Sequence, residues 1–193
     1  MFRLRIGPVA NMNEQRLLSR KSGEDSMGDY YQGIVYDYLR ADRSVFINTE
    51  CTIQIEAGDQ PPKGKSWICD AIAADFRAKT VFLCEVTYSE SLQALLKRLS
   101  AWNDHWNEIS EALIDEKYNN LPKNWEVMPW LFIPKHLEAK LKQGLGKIKE
   151  TSGELKFKHK ITILENVQPW KYRNWDRIRE DEEADRIPIG AQS

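Results

Sequence analysis

From Trp67 to Ser89 the chain reads WICDAIAADFRAKTVFLCEVTYS, and few architectures accommodate such a run. Its β-branched and aromatic residues predict two strands, Trp67–Phe76 and Lys79–Tyr88, joined by a tight turn. Both alternating faces are mostly apolar, which predicts a sheet covered on both sides. Folding the run about Arg77–Ala78 pairs Ile68 with Thr87, Ile72 with Leu83 and Ala74 with Val81, and sets Asp70 opposite Glu85. Like charges facing each other across a strand pair are destabilising, so something must offset them. Two hard oxygen ligands and the carbonyl of Val86 would give Mg²⁺ or Mn²⁺ a partial shell, completed by water and a substrate phosphate. The same alternation places Cys69 and Cys84 buried on the face opposite the carboxylates.

The flanking segments supply the rest of the architecture. A helix is expected over Met27–Arg40, with Tyr31, Ile34, Val35, Tyr38 and Leu39 at helical spacing. Ser44–Glu56 alternates as a half-exposed strand. After the hairpin, Ser89 is a helix N-cap, and the helix it opens buries Leu92, Leu95, Leu96, Leu99, Trp102 and Trp106. It runs on through Leu113 or breaks and restarts near His105. Glu126–Pro134 reads as a buried strand, weakened in its interior by Pro129. A Lys-rich helix over Lys135–Ile148, ending near Gly144 or Gly146, and a strand at Lys160–Glu165 follow. The order predicts an α/β fold, a mixed central sheet with helices on both faces.

A chain of 193 residues suits a single domain. Its core spans about 27–166, between an N-terminal arm at 1–26 and a charged tail at 167–193. The arm is either a frayed terminus or a pairing arm of a homodimer. A net charge of −1 excludes a strongly basic nucleic-acid wrapper but not a local basic groove. Three cysteines, with no disulfide framework or CxxC spacing, point to the cytoplasm. No signal peptide and no membrane-spanning apolar run is expected.

Asp70 on one strand and Glu85-Val86-Thr87 on the next resemble the core of the PD-(D/E)XK nuclease superfamily. The segment Gln32-x-x-Val35-x-x-Tyr38-Leu39 is similar to that family's first core helix. The resemblance covers roughly Met27 to Ser100. It implies a restriction-endonuclease-like αβββαβ core, Mg²⁺ held by Asp70, Glu85 and the Val86 carbonyl, and cleavage of phosphodiester bonds in DNA, with RNA as a further substrate. Restriction, repair and phage defence are the settings it implies. Thr87 stands where the family has Lys, and Gln32 where it often has Glu. By analogy with members that supply the cation from the following helix, Lys97 is the replacement, with Lys65 second. Each of these residues also has a plain structural reading, Gln32 as a half-buried helix residue and Lys97 as a solvated charge.

Three function classes therefore stand open. One is a metal-dependent nuclease with Asp70, Glu85, Thr87, Gln32 and Lys97 at its site. The second is a degenerate nuclease-fold protein that binds nucleic acid or a protein partner. The third is a buried acid pair satisfied by Arg or backbone donors. A basic surface around Asp70 favours the first two; an Arg against the pair favours the third. Further basic groups, Lys63 and Lys65 in the loop before the hairpin and Lys135, Lys140, Lys142 and Lys147 on the later helix, are candidates for phosphate contact. So is the Trp170, Tyr172 and Trp175 stretch, interleaved with Lys171, Arg173 and Arg177.

Overall fold

The computed structural model describes residues 24–54, 66–114 and 124–172. The N-terminal arm, the loop carrying Lys63 and Lys65, and the tail beyond Tyr172 lie outside these residues, as does the side chain of Glu50. Helix α1 spans Glu24–Arg40. Strands β1 (Val45–Gln54), β2 (Ser66–Asp75) and β3 (Thr80–Val86) follow. Helices α2 (Gln93–Asp104) and α3 (Trp106–Ile114) lead to β4 (Glu126–Ile133). A short 3₁₀ turn, α4 (Glu138–Ser152) and β5 (Lys160–Ile163) complete the order.

The five strands form one mixed sheet in sequence order. β1, β2 and β3 are antiparallel neighbours, whereas β4 and β5 join in parallel after helical crossovers. Toward the turn the hairpin register matches the sequence reading, with Ile72 facing Leu83 and Ala74 facing Val81, but the ladder ends at Ala71–Cys84, so the expected Asp70–Glu85 and Ile68–Thr87 pairs do not form. Asp75 fixes the turn, because its Oδ1 accepts the backbone N–H groups of Arg77 and Ala78. Lys79 closes it in the left-handed region at φ 53°.

The hairpin's two apolar faces find two layers. On one side Ala71, Ala73, Phe82 and Cys84 pack with Val35 and Leu39 of α1 and with Trp130 and Phe132 of β4. On the other, Ile72, Val81 and Leu83 pack with Leu95, Leu99 and Trp102 of α2, Ile109 of α3 and Leu141 and Leu145 of α4. The fold is thus α/β with helices on both faces of a mixed sheet.

Three local expectations change, and one open alternative is settled. Ser89 does not cap α2: its hydroxyl oxygen accepts the Ser91 N–H and closes a turn, and the helix starts at Gln93. The helix breaks at His105, as one of the two alternatives had it. α4 does not stop at Gly144 or Gly146 but runs to Ser152, where Gly153 at φ 80° ends it. Gly144 serves packing instead, since a Cβ there would stand 2.4 Å from Leu96 Cδ2 of α2. Finally, Cys69 and Cys84 are both fully buried but in different layers, Cys69 with the α2–α4 core and Cys84 with α1. The strict alternation fails at Asp70, where the β2–β3 ladder ends at the Ala71–Cys84 pair.

Candidate functional site

Asp70 sits near the middle of β2, at the point where that ladder stops. Its Oδ2 accepts the backbone N–H of Val86 at 2.7 Å, so a side-chain acceptor takes the place of a ladder carbonyl. Its Oδ1 accepts the Gln32 Nε2 amide of α1 at 2.9 Å. One turn further along α1, the Tyr36 hydroxyl donates to the Asp70 main-chain carbonyl at 2.8 Å. Gln32 and Tyr36 are four residues apart and share a helix face, so α1 grips this point of β2 twice.

Glu85, the penultimate residue of β3, is 3% exposed. Its Oε2 accepts a charge-assisted hydrogen bond from Arg98 Nη1 of α2. Its Oε1 is buried with no hydrogen-bond partner among the described residues. Such an atom is uncommon in a folded interior and costly when left unpaired. Burial first, and then the Asp70 charge, push the Glu85 carboxyl up from its ordinary 4.5 to about 8, against the opposing pull of Arg98. Burial would lower Arg98, but Glu85 and Asp70 outweigh it and hold the guanidinium above its usual value.

The two carboxylates are therefore electrostatic neighbours anchored to opposite helix layers, Asp70 through Gln32 to α1 and Glu85 through Arg98 to α2. The structure brings Gln32, Asp70, Glu85 and Val86 together. Thr87 follows directly, half-buried, with its N–H bonded to the Phe132 carbonyl of β4. Lys97 is exposed on α2. The cation at the pair is its neighbour Arg98, which the sequence reading did not place at the site. A signal for it was present: Arg98 lies three residues after Leu95 and four before Trp102, both buried, and so borders the inward stripe. Tyr36 was also missed, although it stands one turn from Gln32.

Among the described residues, no group of three or more His, Cys, Asp and Glu is placed to share a metal ion. The donor set here is smaller: two carboxylates, one with an orphaned buried oxygen. It fits Mg²⁺, which is commonly held by one or two carboxylates and keeps several waters for the remainder of its shell. It lacks the His and Cys ligands that supply most of a zinc ion's shell. Among the described residues no helix is long and apolar enough to cross a membrane. No protein-family model matches the chain, and no curated protein matches it significantly.

Proposed function

We propose that this chain is a metal-dependent nuclease with a restriction-endonuclease-like core, acting on phosphodiester bonds in DNA, in which Arg98 takes the part of the missing motif lysine. The observation that carries the reading is the buried Oε1 of Glu85, without a hydrogen-bond partner among the described residues, in a carboxyl beside Asp70 that a bound cation would deprotonate. When bound there, a divalent cation would supply Lewis acidity and an acidified water. The chain's own residues have distinct tasks. Gln32 and the Val86 N–H fix the Asp70 carboxylate in one orientation. Arg98, a planar fork matched to phosphate oxygens, turns from Glu85 to neutralise charge on the scissile phosphate. It cannot serve as a base, because its guanidinium stays protonated throughout the working pH range. Proton removal therefore falls to solvent, with Thr87 available to orient a water.

The test is cleavage of single-stranded and duplex DNA with Mg²⁺ or Mn²⁺. Wild type should cut, Glu85→Ala should abolish cutting, and Arg98→Ala should reduce it about a hundredfold or more, the usual cost of a positioned charge. Cutting that survives Glu85→Ala would place the activity elsewhere.

A second reading has its own observation. Arg98 against Glu85, with a backbone N–H on Asp70, is the arrangement of a satisfied acid pair. That is the arrangement named for the third class, a structural acid pair satisfied by Arg and backbone donors, and it predicts that Mg²⁺ or Mn²⁺ supports no cleavage by the wild type. The orphaned Oε1 weighs against it, because a purely structural pair would leave no strong acceptor unmet.

A further inference from the structure

Three tyrosines run outward from the carboxylate cluster. Tyr88 lies two residues past Val86, whose N–H holds Asp70. Its ring stacks on Tyr31 at 5.8 Å between centroids and 27° between planes. Tyr31 is the residue before Gln32, the other group on Asp70. Tyr31 in turn meets Tyr30 edge to face, at 5.5 Å and 70°. Tyr31 and Tyr88 are half-buried against the α1 layer, whereas Tyr30 stands 58% exposed. An amphipathic ring at the end of a packed stack is rigid at low entropic cost, and nothing in the core requires its exposure.

We infer that the Tyr88–Tyr31–Tyr30 ladder is a stacking platform for an unpaired base, and that the preferred partner is single-stranded DNA, threaded with its backbone at Asp70, Glu85 and Arg98. The inference rests on the proposed nuclease site and names its substrate class. Every base has a π-face, so stacking is tolerant of sequence. In a duplex those faces are already used, and a ring beside the backbone gains little unless a base leaves the stack. Arg98, held by Glu85 in this structure, lies on the α2 side of the carboxylates, and the tyrosines lie on the α1 side.

The experiment is fluorescence anisotropy of a fluorescein-labelled oligonucleotide, single-stranded or annealed, titrated with the protein in EDTA so that no cleavage intervenes. Wild type should bind the single strand more tightly than the duplex. Tyr30→Ala, an exposed change, should weaken single-strand binding about tenfold or more. It should leave duplex binding alone, and Tyr30→Phe should restore the loss. Phe46→Ala is the control: Phe46 is 65% exposed but pairs with Ala74, toward the turn end of β2, and should have no effect. Binding that ignores Tyr30→Ala, a wild-type preference for duplex, or no binding at all overturns the platform. The nuclease reading fails separately. If no metal supports cleavage while the Tyr30-dependent preference persists, the platform stands as that of a binding protein. If cleavage requires Glu85 while Tyr30→Ala changes nothing, the platform falls and the nuclease remains.

Discussion

Glu85 is pushed far from its ordinary titration, and its pH dependence has a definite sign. The folded carboxyl titrates near 8, above its ordinary 4.5. Between these values the folded state holds a proton that the unfolded state has released, so the stability linked to this group is complete below 4.5 and is lost as pH rises through about 8. Glu85→Gln cannot ionise and can still accept from Arg98. In EDTA the melting temperature of Glu85→Gln should therefore gain on wild type steadily from pH 5 to pH 9; parallel curves would mean that burial does not raise this carboxyl. At Asp70 the hydrogen bonds decide the outcome. Relief of repulsion alone argues that Asp70→Asn stabilises, but its two oxygens face two donors, Gln32 Nε2 and the Val86 N–H. Asn offers one acceptor and turns an amide toward the other donor. The expected outcome in urea unfolding is a loss of about 1–3 kcal/mol, and a gain would show that repulsion from Glu85 dominates the site. That the two acids are electrostatic neighbours was legible from the hairpin, but their direct opposition was not realised: the β2–β3 ladder ends at the Ala71–Cys84 pair, and Asp70 accepts the Val86 N–H instead. That each is tied to a different helix was not legible, because it depends on which side chains α1 and α2 bring over the end of the ladder.

At the scale of elements, the glycines of α4 separate packing from propensity. Gly144 lets α4 approach Leu96 of α2, whereas a Cβ at Gly146 meets nothing within 4 Å. Gly146→Ala should stabilise by roughly 0.5–1 kcal/mol, the ordinary helix gain over glycine. Gly144→Ala makes the same gain but drives a methyl into Leu96, and overpacking of this kind costs about 1–3 kcal/mol. Denaturant midpoints that move in opposite directions are the expected result; equal shifts would mean that the α2–α4 contact yields freely. The sequence reading treated both glycines as possible helix ends, since a glycine inside a helical pattern carries no mark of what approaches it. Ser89 failed for a related reason: a serine ahead of an apolar run serves equally as a cap or as the start of a turn, and here it bonds Ser91. Strands were more readable, because a period of two survives wherever a face is buried.

Across the molecule, the sheet is closed on both sides, and the buried cysteines report on each closure. Cys69 and Cys84 are fully inaccessible in separate layers. A bulky maleimide should label neither in the native protein within the time it labels both in denaturant, and fast native labelling at one would identify the layer that opens. The same two-sided closure makes the Asp70–Glu85 cluster a junction, held by α1 from one layer and α2 from the other. Whether that junction is a cation site or a finished ion pair decides between cleavage and binding. Calorimetric titration of Mn²⁺ into wild type and into Glu85→Gln at pH 8 asks this directly. A cation site predicts a saturable heat for wild type, with proton release as Glu85 deprotonates, and none for the variant. Superimposable titrations of the two proteins would contradict it and leave Arg98 as the lasting partner of Glu85.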